Sequence, residues 1–173
     1  METSVSTTNA GVKVGLYTGI ASIIISLILY LAGLSDPVDP NPISYVAWLV
    51  PVIGVVLGIK YYKDSNEGLL SYGQALGAGT VTALVAGIIG AVYTFIFFEY
   101  IDPGMIDAIR ENAKTEAFKN PNMTEEQWNQ AKGFMETFTS PTVMSIIAII
   151  FNVIVGFITS LIAGAVMKND QGA

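Results

Sequence analysis

Residues 72–98 read YGQALGAGTVTALVAGIIGAVYTFIFF. The stretch holds no Asp, Glu, Lys or Arg, and its glycines and alanines recur every four residues. A bilayer's hydrocarbon core, about 30 Å thick, needs roughly 20 apolar residues in a helix. This run is long enough, and it is too uniformly apolar to be a half-wet surface helix. Three more charge-free runs have the same character, at Val14–Leu34, Ile43–Ile59 and Thr142–Met167. The second is the shortest and carries Pro51. The predicted fold class is an all-α integral membrane protein, a bundle of four transmembrane helices forming one membrane domain over residues 1–173.

Composition agrees. Of 173 residues, 52% are apolar and 13% charged, against about 25% charged in an average soluble domain. Mean hydropathy is +0.56. The net charge of −6 argues against a nucleic-acid partner, which would need a basic surface. With no Cys and no His, disulfides, thiol chemistry, Ser–His catalysis and the usual zinc sites are excluded. No metal site and no cofactor are expected. The polar leader holds Glu2 and Lys13, and the first apolar run outlasts a signal-peptide core of about 7–15 residues. It reads as a retained span.

Orientation follows from bases near span ends. With alternating spans, Lys13, Lys60, Lys63 and Lys168 share one side. The 35–42 loop on the other side has Asp36 and Asp39 and no base; Arg110, Lys114, Lys119 and Lys132 sit on that side, farther from the spans. The expectation is a multi-pass protein of the bacterial inner (cytoplasmic) membrane with both termini cytoplasmic. Trp48, Tyr61, Tyr62, Phe97, Phe98 and Tyr100 suit interfacial belts.

Helices in lipid associate through close packing of small residues. Each span offers a ridge: Gly15, Gly19, Ser22 and Ser26; Gly54 and Gly58; Gly73 and Gly77 beside Ala75, Gly79 and Ala83; Gly156, Ser160 and Gly164. Span three, with small residues on two faces, is the expected central helix. Asp36-Pro37 and Asp102-Pro103 end spans one and three alike, a loose hint of duplication.

Residues 99–141 form the one sizeable polar segment. Asp102 with Pro103 signals a helix start, and Met105, Ile109, Ala113 and Ala117 recur every four residues. Asn120-Pro121-Asn122 marks a turn. Thr124 and Gln127 form a capping box, and Trp128, Ala131, Met135 and Phe138 make a second apolar stripe. An amphipathic helical hairpin over the outer membrane face is predicted. Trp128, Met135 and Phe138 could pack on the bundle, dip into headgroups or form a partner surface. Asn122-Met123-Thr124 matches a glycosylation sequon, a chance-level match.

No ionisable group lies within a span, so the polar candidates at depth are Asn152 and Gln74. The Asn152 amide is expected to bond a neighbouring helix. The outer carboxylates Asp36, Asp39, Glu99, Asp102 and Asp107 read as solvated loop charge and helix caps, although such spacing could hold a divalent cation.

GIKYYKDSNEGLLSYGQALG at 58–77, FFEYIDPGMID at 97–107 and MTEEQ at 123–127 resemble a four-span membrane family of Bacteroidota, domain of unknown function 4199. The resemblance runs from about Gly11 to Lys168. It implies an integral inner-membrane protein with no catalytic residues to carry over; genes of the family often sit near those for polyprenol-phosphate glycosyltransferases, which by itself shows no mechanism. The expected function is a non-catalytic scaffold or accessory subunit of a membrane or envelope complex, one handling lipid-linked sugars among the options. Its partners would be the lipid bilayer and another membrane protein or a second copy of itself. The alternative is a small oligomeric transporter or channel lined by Asn152, Gln74 and the small-residue faces.

Overall fold

The computed structural model describes residues 5–169; Glu2 lies outside them. Six helices follow in order: α1 (Thr7–Leu31), α2 (Val46–Asp64), α3 (Tyr72–Ile96), α4 (Gly104–Phe118), α5 (Glu125–Phe138) and α6 (Pro141–Met167). Among the described residues there is no strand. An isolated antiparallel bridge joins Leu70 to Asn169, with Leu70 N–H on the Asn169 carbonyl at 3.1 Å and the reverse bond at 2.9 Å.

Four segments are long and apolar enough to cross a membrane: Thr7–Leu31, Pro42–Asp64, Tyr72–Ile101 and Pro141–Met167. Only 17–33% of each apolar window is buried inside the molecule. Ile28, Leu31, Trp48, Val92, Ile154, Ile162 and Val166 all point outward. A soluble monomer rarely exposes apolar patches beyond a few hundred Å², so the natural solvent for these faces is lipid. The chain is a multi-pass membrane protein.

Local signals set the helix ends. Ser6 accepts from Asn9 N–H at 3.1 Å, which starts α1 at Thr7, a full turn and more before the charge-free run at Val14. Asn41 caps a 3₁₀ turn, Pro42–Tyr45, that feeds α2. Ser71 and Gln74 form a reciprocal capping box on α3, and Thr124 and Gln127 form one on α5. Ser140 caps α6, with Pro141 in its first turn. α3 does not stop at Ile96. It widens into one π turn, Phe97–Ile101, closed by Asp102 N–H on the Phe97 carbonyl at 2.9 Å. The Asp102 side chain caps nothing, contrary to the sequence expectation: α4 opens from Pro103 without a side-chain cap.

α3 packs along both α1 and α6 and also against α2. Its seam with α6 is an antiparallel row of small residues. A Cβ at Gly79 would fall on Ser160 Oγ, and one at Gly156 on Ala83 Cβ. A Cβ at Gly87 would stand 3.0 Å from Asn152 Cβ, and one at Gly164 3.0 Å from Ala75 Cβ. Every pair steps by four residues in opposite senses, so one face of each helix meets the other over about half of its length. Against α1 the logic reverses: Gly11, Gly15 and Gly19 form a groove that takes the branched ridge Val81, Val85 and Ile89 of α3, and a Cβ at any of the three would stand 2.7–2.8 Å from that ridge. Gly54 faces Thr18 of α1, and Gly58 faces Thr82 of α3.

Gly73 and Gly77 take no part in this close packing. A Cβ at Gly73 would meet nothing within 4 Å, and one at Gly77 would make only ordinary contact with Thr7, 3.5 Å at the nearest. They lie on the face of α3 that turns from α6.

Candidate functional site

The bundle is packed more tightly at one end, apart from an apolar groove of about 390 Å³ between α2 and α6 at Val52, Thr159 and Val166, and is more open at the other. Near the end where α2 stops and α3 begins, Val55, Ile59, Thr82 and Ser160 are wholly buried. Leu70, Tyr62 and Ala163 continue that core. Lys63 Nζ donates to the Met167 carbonyl at 2.9 Å, and Asn169 Nδ2 to the Gly68 carbonyl at 3.1 Å, tying the α2–α3 connection to the end of α6. Lys13 Nζ donates to Tyr61 Oη at 2.9 Å, with the ammonium 4.7 Å from the Tyr61 ring centroid.

Several hydroxyls in the long helices are spent on their own backbone. Thr18, Thr82, Ser145, Thr159 and Ser160 each donate to the carbonyl four residues earlier, at 2.6–2.8 Å. Buried polar groups are thereby satisfied without tying one helix to another.

Toward the other end the helices splay around a cleft of about 610 Å³. Its wall is mainly apolar, with Met144, Ile147, Phe151 and Val155 of α6 facing Ala47, Trp48 and Pro51 of α2. The Trp48 and Phe151 rings meet edge to face, with centroids 5.3 Å apart. Both rings are well exposed, so the cleft reaches the lipid-facing surface at that seam. Pro51 has no N–H to give the Ala47 carbonyl, which leaves a backbone acceptor beside the cleft.

Asn152 lines the cleft between Ala148 and Val155 of α6. Its Nδ2 donates to the Ala148 carbonyl of its own helix at 3.0 Å, not to a neighbouring helix as expected from sequence. The reason is the seam: Asn152 Cβ sits against Gly87, and the amide folds back along α6. One N–H and the amide oxygen remain for a further partner. Ser22, Ser26 and Thr94 add polar points to the wall, Ser22 already donating to the Thr18 carbonyl at 2.9 Å.

Two further spaces lie beyond it toward the same end. One of about 230 Å³ shares Ser26 and Thr94 with the cleft and adds Tyr30, Ser35, Tyr93 and Met105. A mouth of about 340 Å³ shares Tyr30, Ser35 and Met105 with that one and is edged by Asp36 and Asp102. Tyr30 Oη donates to Asp102 Oδ2 at 3.1 Å, and its ring meets Phe97 edge to face at 4.9 Å. The π turn brings Asp102 here, since it ends α3 with that residue beside the end of α1. Asp36 Oδ1 accepts from the Val38 and Asp39 N–H groups at 2.7 and 3.2 Å, which fixes its carboxylate at the rim.

Gln74 is remote from all this. Its Oε1 accepts from Ser71 N–H at 2.8 Å, so the residue is a cap at the lysine end rather than an intramembrane polar site.

The surface expected on α5 is divided. Trp128 is 8% exposed, turned inward beside the Phe118 ring at 6.0 Å. It therefore cannot belong to an open partner surface. Met135 is half-buried, and Phe138 is exposed and also lines the cleft. Phe134, absent from the sequence-derived stripe, is 68% exposed and stacks at 4.4 Å on Phe138. Its spacing of four from Phe138 was the available signal. Arg110 braces the pair: Nε donates to Thr139 Oγ1 at 2.8 Å and a terminal nitrogen to the Glu136 carbonyl at 3.3 Å. Among the described residues, no group of three or more carboxylates is placed to hold a metal ion.

The sequence pattern of a family described as Protein of unknown function (DUF4199) matches residues 13–169. No curated protein and no solved structure matches.

Proposed function

The chain belongs to the DUF4199 family, whose function is unknown, and from that premise we propose that it is a non-catalytic accessory subunit of an inner-membrane complex. The complex would be one of the membrane or envelope, with the handling of lipid-linked sugars among the options. Both termini lie in the cytoplasm in this reading, because Lys13, Lys60, Lys63 and Lys168 gather at one end of the bundle. The α4–α5 hairpin then lies over the periplasmic face.

One observation carries the proposal. The interior is committed to packing: glycine on branched ridge, alanine on glycine, and five hydroxyls returned to their own helices. Variety in the surface is left to α5, whose stacked Phe134 and Phe138 face outward. Such a pair suits a membrane-embedded or interfacial partner, another protein or a second copy of this chain.

Affinity purification of the whole protein in mild detergent tests this. The expected result is a membrane protein that co-elutes with wild type and is lost from Phe134→Ala/Phe138→Ala. A protein that always elutes alone, and whose deletion leaves its neighbours' activities unchanged, overturns it.

The cleft reaching Asn152 favours a second reading, a small oligomeric transporter. Movement through the bundle would require the packed end at Val55, Ile59 and Thr82 to open. Flux into liposomes that is unchanged in Asn152→Leu removes Asn152 from any such path.

A further inference from the structure

Three neighbouring spaces, each sharing lining residues with the next, grade from apolar to acidic. The deep cleft is walled by aliphatic and aromatic side chains and opens to lipid beside Trp48 and Phe151. The middle space is lined by hydroxyls and aromatic rings. The mouth carries Asp36 and Asp102. No lysine or arginine lines any of the three. A hydrocarbon chain suits the deep part, hydrogen-bonding linkage atoms suit the middle, and a cation suits the mouth.

We propose that this cleft is a lipid seat, selective for a membrane lipid with a primary-ammonium head group. One acyl chain lies between α2 and α6. The linkage oxygens meet the free N–H of Asn152 or the hydroxyl of Thr94. The ammonium rests between Asp36 and Asp102, where Tyr30 already holds one carboxylate oxygen and leaves the other. A primary ammonium supplies three N–H donors to these acceptors, whereas a quaternary one supplies charge alone. A head group of net negative charge would bring its phosphate toward two carboxylates with neither a base of the protein nor an ammonium of its own to offset it. The proposal stands apart from the accessory-subunit reading, since a lipid can be held whether or not a protein partner is.

Trp48 is a built-in reporter. In the Trp128→Phe background it is the only tryptophan. The full chain is reconstituted in bilayers containing a small, equal share of chain-brominated phosphatidylethanolamine, phosphatidylcholine or phosphatidylglycerol, and quenching of Trp48 is compared. The expected order is ethanolamine first and glycerol last, with about a threefold difference in apparent association, the scale of an exposed ion pair. Asp36→Asn/Asp102→Asn should bring the three lipids level; asparagine keeps an acceptor for Tyr30, so the fold is preserved. Asp39→Asn/Asp107→Asn, which removes the same charge elsewhere, should leave the preference intact. Equal quenching by all three lipids in wild type, a preference for phosphatidylglycerol, or a preference that survives Asp36→Asn/Asp102→Asn each overturns the proposal. A circular-dichroism melt of each variant separates lost selectivity from lost fold.

Discussion

Gly156 and Gly90 look alike in the sequence, yet one extra methyl should separate them sharply. At Gly156 the new Cβ would fall on Ala83 Cβ, an atom fixed to its helix backbone, so α3 and α6 must move apart. Overpacking of this kind costs about 1–3 kcal/mol. At Gly90 a Cβ meets nothing within 4 Å, and alanine gains helix propensity of up to about 1 kcal/mol. Gly156→Ala is therefore expected to lower the midpoint of unfolding in a mixed-micelle denaturant titration, and Gly90→Ala to leave it unchanged or raise it. Equal shifts would mean that the α3–α6 seam is not the site of close packing. Asn152→Leu should change the free energy of unfolding by less than about 1 kcal/mol, because the bond it removes ties no neighbouring helix and even bonds between membrane helices average about 0.6 kcal/mol. These residues also mark where sequence reasoning stops. Small residues at fourfold spacing are visible along the chain, but which of two ridges faces a neighbour depends on the rotation of the whole helix. Gly73 and Gly77 follow the same spacing as Gly79 and face elsewhere, and the partners Val81, Val85 and Ile89 carry no signal that sets them apart from lipid-facing residues.

Elements were legible where a signal is local. A charge-free run long enough to cross the bilayer, or a Thr followed three residues later by Gln, states its own outcome without reference to distant residues. Ser71 and Gln74 carried the same capping signal at the start of α3, yet Gln74 beside an apolar run reads equally as a buried amide. Asp102-Pro103 misled for a different reason. The π turn adds a residue to the last turn of α3 and carries Asp102 round to Tyr30, and no local pattern announces such a turn. The α4–α5 pair rests on few contacts, chiefly the Trp128–Phe118 rings and the Arg110 brace. Trp128→Ala should cost about 3 kcal/mol in that pair while leaving the four long helices intact. Hydrogen exchange checks it: amides of 104–138 should lose protection, while those of 75–91 and 148–164 keep theirs. Uniform loss across both sets would mean that the pair and the bundle fold as one unit.

At the scale of the molecule, the two ends differ in charge as well as in packing. Eight bases divide equally between the two sides, so a count alone cannot orient the chain. Nearness to the spans breaks the tie in favour of Lys13, Lys60, Lys63 and Lys168, and local pairing runs the same way. Arg110, Lys119 and Lys132 each face an acid of their own helix, Asp107, Glu116 and Glu136. At the other end Lys13 meets a phenol and Lys63 a carbonyl, neutral groups that leave the ammonium charge undiminished at the membrane boundary. Positive charge beside the spans is retained on the cytoplasmic side, so the tightly packed end should face the cytoplasm and the acidic mouth the periplasm. The cleft itself could not be read from sequence, because its wall takes residues from five helices and its mouth depends on the π turn. Its sidedness can still be tested cleanly, since the chain has no cysteine of its own. Asp64→Cys places one exposed thiol at the tightly packed end, and Asn122→Cys places one at the tip of the α4–α5 turn. In cells with a permeabilised outer membrane, a membrane-impermeant maleimide should label Asn122→Cys at once and Asp64→Cys only after the inner membrane is broken. The reverse order would put the acidic mouth in the cytoplasm. A primary-ammonium lipid would then have to be drawn from the cytoplasmic leaflet, and the hairpin would be offered to cytoplasmic partners. Labelling of both thiols in intact cells would mean that the four helices do not hold one orientation.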